Sequence, residues 1–182
     1  MRVMHNVVRR SAATLAGNNV TKLGLVLLPT DITGPAEAAA VASAFPSLVV
    51  QSTNFKFPPQ VEQLTQSTYD FAFQHLPDSL DLLRPADSFN CIGISCTSFS
   101  FAVGPSRIAP IVNAYFPNAH VLNMADSLNK AANTIGLRRP HVLTPYTTEL
   151  NDILKPRLAN AGFDVQRFNG MRMHRSATGV VW

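Results

Sequence analysis

The chain has 182 residues, of which 46% are apolar and 14% charged, so it can bury a sizeable core and is not a disordered tail. No apolar run approaches the roughly 18 residues that a membrane span needs, and we expect no membrane partner. The net charge of +4 comes from the two ends, because residues 23–166 contain 8 basic and 11 acidic residues; a basic face and a nucleic-acid partner are therefore not indicated.

Residues 1–21 are predicted to be a basic leader that lacks acidic residues. On a helical wheel, Arg2, Arg9 and Arg10 fall opposite the apolar residues, a pattern typical of a mitochondrial presequence. A frayed basic leader explains the same pattern. We therefore expect a cytoplasmic location, with a mitochondrial location as the alternative.

Strands and helices alternate along the rest of the chain. The predicted order is strand 22–28, a helix entered at Pro35, strand 47–53, a helix from Pro58, strand 89–95 and a helix from Gly104. It continues with strand 119–124, a helix closed by Gly136, strand 140–145, a helix with Thr147 as N-cap that ends at Gly162, and strand 163–168. This alternation predicts an α/β fold with parallel sheets.

Ligands of parallel α/β sheets bind beyond the carboxyl ends of the strands. The predicted loops at that edge are 29–34, 96–104 and 145–148. Candidate functional residues are therefore sought in these three segments.

Cys96 follows the strand that ends at Ser95, and it has two interpretations. A cysteine near an apolar strand is commonly a small buried hydrophobic residue. At a strand end before Thr97 and Ser98, however, the turn can bind an anionic oxygen and lower the pKa of a thiol, which favours a nucleophile. Cys91 lies within the strand and is predicted to be core.

The two cysteines are five residues apart on one strand, so they form neither a disulfide framework nor a zinc pattern, and a reducing compartment is expected. The five histidines are scattered without metal-ligand spacing, and no phosphate- or dinucleotide-binding glycine motif is present. No cofactor and no metal are predicted. Without a placed histidine, a cysteine hydrolase is poorly supported.

Tyr146 follows a proline at another predicted strand end, with Thr147 and Thr148 beside it. Its ring could cap the core, or its phenol could donate a hydrogen bond to a substrate carboxylate or a developing enolate. Asp31, in the first loop, fits an ordinary turn role better than that of a general base.

Two motifs, "SCTSFSFAVG" and "VLTPYTTELNDILKPRLANAGFDV", resemble those of the aspartate/glutamate racemase superfamily, closest to its maleate isomerase and arylmalonate decarboxylase branch. The resemblance covers about residues 22–170. It implies two Rossmann-like lobes, assigned here to residues 22–117 and 118–182, with the site between them. It also implies cofactor-independent chemistry on a small carboxylic acid, with one cysteine from each lobe.

The resemblance assigns Cys96 as the first-lobe cysteine, whose thiolate would add to the alkene of maleate before bond rotation and elimination give fumarate. It implies that substrate carboxylates are held by Thr30 in the first loop and by Thr97, Ser98, Tyr146 and Thr147. The first loop departs from the family pattern, because Ile32 replaces an asparagine that helps to bind substrate.

The second-lobe cysteine has no counterpart in the 182 residues, and no regular pattern follows Phe168. The second lobe is therefore expected to be incomplete. The sequence supports an isomerase, racemase or decarboxylase acting through Cys96, and alternatively a truncated, catalytically impaired relative. Apolar surface on an incomplete lobe predicts association into a homo-oligomer, or poor solubility.

Overall fold

A computed structural model describes residues 20–59, 61 and 64–170, without the side chain of Asp87. Nearly all of the predicted basic leader, and residues 171–182 of the predicted second lobe, lie outside the described residues.

The described residues form strands and helices that alternate along the chain. The strands are β1 (Thr21–Leu27), β2 (Leu48–Asn54), β3 (Cys91–Ser95), β4 (His120–Asn123), β5 (His141–Thr144) and β6 (Arg167–Gly170). The helices are α1 (Gly34–Ala44), α2 (Gln66–Gln74), α3 (Leu76–Leu80), α4 (Thr97–Val103), α5 (Pro105–Tyr115), α6 (Met124–Thr134) and α7 (Thr148–Asn160). The predicted α/β class is confirmed.

The first four strands form one parallel sheet in the order β2-β1-β3-β4. Strand β3 is central, and Leu27 at the end of β1 pairs with Ser95 at the end of β3. Leu27 also pairs with Asn54 at the end of β2. The carboxyl ends of neighbouring strands are thus aligned at one edge, where ligands of parallel sheets bind.

A second, two-stranded parallel sheet is formed by β5 and β6. Strand β4, which the sequence division at residue 117 assigned to the second lobe, instead pairs with β3 and forms an edge of the first sheet. The sheets therefore divide after β4, because its four residues complete the hydrogen bonding of the free side of β3.

The larger core packs around the central strand. Ile92, Gly93 and Ile94 of β3 are all buried, as expected for a parallel strand covered on both faces. The Phe99 ring lies 4.4 Å from that of Phe55, so the start of α4 is part of this core. A smaller core lies under the second sheet, and its buried members are Phe101, Ala125, Ala132, Leu154, Leu158 and Phe163.

Three predicted boundaries are wrong. The strand predicted over 163–168 begins only at Arg167, because the chain is still turning out of α7 at Phe163, whose N–H bonds to the carbonyl of Leu158. Residues 97–103, predicted as a loop, form α4, because Cys96 caps the helix and its next residues are buried from Ser98 to Val103. The helix predicted from Pro58 begins at Gln66, where Thr65 and Thr68 form a capping box.

Gly104 joins α4 to α5 in a backbone conformation with φ +92° and ψ 140°. The Arg157 guanidinium of α7 covers it, and a Cβ atom at this position would lie 2.7 Å from Nη1 of Arg157. That guanidinium also donates a hydrogen bond of 3.3 Å to the carbonyl of Ala102, which ties α7 to the end of α4.

Replacing Gly104 with alanine is expected to lower the free energy of unfolding by about 2–3 kcal/mol, because this φ/ψ region is almost confined to glycine and the methyl group displaces Arg157. Urea denaturation measures the change. Gly136→Ala is the matched control. An alanine at φ +72° is also strained, but its Cβ would have no atom within 4 Å, so a loss of about 1 kcal/mol in the free energy of unfolding is expected. Equal losses in the two variants would contradict a role for the Arg157 contact.

Candidate active site

Cys96 lies at the carboxyl end of the central strand, as the N-cap residue of α4. Its Sγ accepts a hydrogen bond of 3.4 Å from the Phe99 N–H, and only 3% of the residue is exposed. The Ser100 hydroxyl donates to the Cys96 carbonyl at 2.7 Å and accepts from the Met124 N–H at 3.3 Å. The backbone of Cys96 is therefore held by its own helix and, through Ser100, by the first residue of α6.

A chain of buried hydroxyl groups leads from the thiol into the core. The Ser98 Oγ lies 3.6 Å from Sγ of Cys96 and shares a 2.6 Å hydrogen bond with the Tyr69 hydroxyl. Tyr69, on α2, is fully buried and packs edge-on against Phe99. Polar groups this deeply buried require hydrogen-bond partners, so these contacts fix the orientation of the Ser98 and Tyr69 hydroxyls.

Tyr146 approaches from the loop after β5 and is half-buried. Its phenol lies close enough to Cys96, Ser98 and Thr97 for each of them to act on its pKa. The site thus combines groups from both sheets around one thiol.

The Tyr146 loop is held by a buried polar pair. Thr144 donates a 2.6 Å hydrogen bond to the Asn151 side chain, which in turn donates at 3.1 Å to the Tyr146 carbonyl. Both partners are only 5% exposed. The position of the phenol is therefore set by α7 as well as by β5.

The structure brings four of the predicted site residues together: Cys96, Thr97, Ser98 and Tyr146. The hydroxyl of Thr147 accepts from the Leu150 N–H at 3.4 Å and caps α7, as predicted for an N-cap residue.

The first loop lies beside Cys96 in the sheet order, but its side chains face other partners or solvent. Thr30 is exposed in this loop, and Ile32 is 89% exposed. The Asp31 carboxylate accepts from the Gly34 N–H at 2.7 Å, at the start of α1, which is a turn role.

Two residues of the site were not among the sequence candidates. Tyr69 falls three residues before Ala72 on the buried side of α2, so its pattern is that of a core aromatic residue. Asn151 lies between the buried Leu150 and Leu154. A polar residue beside the apolar residues of this helix was the available signal for Asn151.

The pKa of the Cys96 thiol is raised above its ordinary value of 9.0, because burial disfavours the thiolate. Hydrogen bonds from the Phe99 N–H and from the hydroxyls of Ser98 and Tyr69 act in the opposite direction but do not offset burial. The turn therefore acts on the pKa of this thiol in the expected direction, but burial outweighs it and the net shift is upward.

Burial also raises the pKa of both phenols that flank the thiol, and the electrostatic influence of Cys96 adds to it. Tyr69 and Tyr146 therefore keep their protons over the whole physiological range. Both remain hydrogen-bond donors for an anion that develops between them.

A cavity of about 320 Å³ adjoins this cluster on the side of the second sheet. Thr97 and Tyr146 form its border with the cluster, and Phe101, Leu128 and Leu154 contribute to an otherwise largely apolar wall. Cys96 does not line this cavity.

Within the described ranges, no group of three or more His, Cys, Asp or Glu side chains is arranged to hold a metal ion. None of the helices in the same ranges has the length and apolar character needed to cross a membrane.

Alkylation of Cys96 by iodoacetamide is expected to follow an apparent pKa above 9.0, because the reactive thiolate is disfavoured by burial. The measurement uses a Cys91→Ala variant, so that Cys96 is the only thiol, and follows labelling by mass spectrometry across pH. The Cys96→Ala variant reports Cys91 separately. Half-maximal reactivity of Cys96 near neutral pH would contradict this prediction.

No family profile and no curated protein matches the sequence. Solved structures do match it. A cysteine-to-alanine variant of the maleate isomerase Iso from Pseudomonas putida, solved with maleate, has a TM-score of 0.68 at 16% identity, over 83% of this chain and 63% of that one.

Two further structures agree with this match. A cysteine-to-serine variant of the Nocardia farcinica maleate cis-trans isomerase, with a covalently bound succinylcysteine intermediate, has a TM-score of 0.69 at 18% identity, over 83% of this chain and 63% of that one. A liganded double variant of arylmalonate decarboxylase has a TM-score of 0.63 at 19% identity, over 83% and 62%.

The chain spans less than two thirds of the length of each of these structures. The resemblance drawn from the two motifs is confirmed at the level of the fold: the chain has the α/β fold of the maleate isomerases and arylmalonate decarboxylases.

Proposed function

We propose that this protein is a cofactor-independent isomerase that interconverts maleate and fumarate, or acts on a closely related small dicarboxylic acid, with Cys96 as the nucleophile. The observation that supports this most is the cluster at the end of β3, where one thiol is surrounded by Ser98, Thr97 and two phenols from separate elements. The shared fold with maleate isomerases agrees with it.

The proposed reaction begins with loss of the thiol proton to solvent. The Cys96 sulfur then forms a C–S bond to one alkene carbon, and the displaced π electrons move through the other alkene carbon onto its carboxylate. Rotation about the new single C–C bond follows. Return of the electrons expels the thiolate and gives fumarate, so no atom is gained or lost.

The hydroxyl groups of the cluster suit the charge that develops in this step. The electron pair accumulates on a carboxylate, and donors already in place stabilise it without reorganisation. Thr97, Ser98 and Tyr146 are the proposed donors. The same residues would bind the two carboxylates of the substrate, with Thr30 and Thr147 as further candidates.

One cysteine is sufficient for the covalent step as written. The Nocardia farcinica variant carries serine in place of one cysteine and is described with a succinylcysteine intermediate. In the present chain, protonation of the adduct at carbon would give the same species on Cys96. Cys91 would take no part, since five residue steps along an extended strand place it about 16 Å from Cys96.

The alternative is a chain that binds the acid but turns it over slowly or not at all. The raised pKa of Cys96 favours this, because little thiolate is present at neutral pH. Binding without turnover, detected by calorimetry with maleate and absent in Tyr146→Phe, would support this alternative.

Cys96→Ala is expected to abolish conversion of maleate to fumarate, followed by proton NMR, because no other thiol lies at the site. Cys91→Ala is the matched control and is expected to retain activity. Mass spectrometry of the wild type with maleate should find an adduct on Cys96 alone. Unchanged turnover by Cys96→Ala would exclude the proposed nucleophile.

Tyr146→Phe is expected to lower kcat about 10²- to 10³-fold, the usual effect of deleting one donor to a developing anion. Tyr115→Phe removes a phenol from α5, outside the cluster, and should leave kcat unchanged. If both variants keep wild-type kcat, Tyr146 has no role in stabilising the adduct.

A further inference from the structure

One hydrogen bond joins the start of α7 to the start of α2 across the rim of the site. The Glu149 carboxylate, in the first turn of α7, accepts a 3.0 Å hydrogen bond from the backbone N–H of Gln66, the first residue of α2. The two residues are 83 positions apart in the sequence. The contact therefore links α2, which packs on the larger core, to α7, which connects the two strands of the second sheet.

The contact uses a backbone donor that α2 cannot satisfy by itself. The first N–H groups of a helix have no partner within it. In α2 the Thr65 hydroxyl accepts from the Thr68 N–H, whereas the Gln66 N–H donates to Glu149. A carboxylate at a helix N-terminus is also favoured by the helix dipole.

Each end of this contact lies three residues from one of the phenols that flank Cys96. Gln66 precedes Tyr69 on α2, and Glu149 follows Tyr146 at the start of α7. Tyr69 reaches Ser98 at 2.6 Å, and Tyr146 interacts with Ser98 and Thr97. A change in the separation of Gln66 and Glu149 would therefore alter how closely the phenols enclose the thiol.

We propose that Glu149 is a positioning residue, which fixes α2 and α7 against each other through the Gln66 N–H and thereby keeps the site closed around Cys96. Glu149 does not touch the thiol and is exposed on the rim. The expected effect of Glu149 on turnover rests on the proposed function, whereas its expected effect on the reactivity of the Cys96 thiol does not.

The test measures iodoacetamide labelling of Cys96 at pH 8, with Cys91→Ala as the background. Glu149→Ala is expected to increase the rate about three- to tenfold, because loss of a charge-assisted hydrogen bond loosens the enclosure that disfavours the thiolate. Glu149→Gln keeps an acceptor oxygen and is expected to restore a rate near that of the background protein.

Gln66→Pro tests the same contact from the other side. Proline removes the N–H at the first position of a helix, where it is tolerated, and Thr65 already has the extended conformation that precedes proline. It should increase the labelling rate as Glu149→Ala does, and the double variant should exceed neither single variant.

Two controls separate the contact from general effects on these helices. Asp152→Ala removes a carboxylate of α7 that pairs at 2.9 Å with Lys155 of the same helix. Gln66→Ala removes a side chain that bonds to Asp70 but keeps the N–H. Both should label at the background rate, and circular dichroism checks that every variant is folded.

Labelling of Glu149→Ala and Gln66→Pro within about twofold of the controls, or additive effects in the double variant, would overturn the inference. With maleate, Glu149→Ala is expected to lower kcat more than it changes KM. If the wild type does not turn over maleate, the proposed function fails, while the labelling rates still decide the role of Glu149.

Discussion

The pairing of β3 with a parallel strand on each side is the constraint on which the site depends. It aligns the end of β3 with the end of β1, so that Cys96 leaves the sheet beside the first loop and beside β4. The buried Ile92 and Ile94 hold this strand in the middle of the core. Ser98 and the Phe99 N–H, which contact the thiol, lie in the first turn of the helix that begins at that strand end.

The same placement creates a conflict between folding and chemistry. A thiol at the end of a central strand is buried, and burial raises its pKa, so the neutral form stabilises the folded state. A nucleophile requires the thiolate. The hydroxyls of Ser98 and Tyr69 and the Phe99 N–H partly counteract burial. Under the proposed function, the hydroxyl groups that bond to one another in this cluster would be redirected toward a bound dicarboxylate.

Local sequence patterns pointed to those candidate site residues whose reactive or hydrogen-bonding groups lie directly after a strand. Cys96 and Tyr146 each follow an apolar strand and precede a hydroxyl-rich turn, so their positions in the sequence pointed to the same edge. Tyr69 could not be found in this way, because an aromatic residue on the apolar side of a helix has the pattern of core packing. Its contact with Ser98 spans 29 residues, and no local pattern encodes that distance.

By itself, the sequence determined the α/β class, the order of the elements and the strand ends that carry Cys96 and Tyr146, because hydrophobic periodicity and capping residues act over a few neighbours. The tertiary structure alone decided that β4 completes the first sheet, that residues 97–103 are helical, and that burial raises the pKa of the thiol. These depend on which segments pack together, since pairing partners and solvent exclusion are properties of the assembled core.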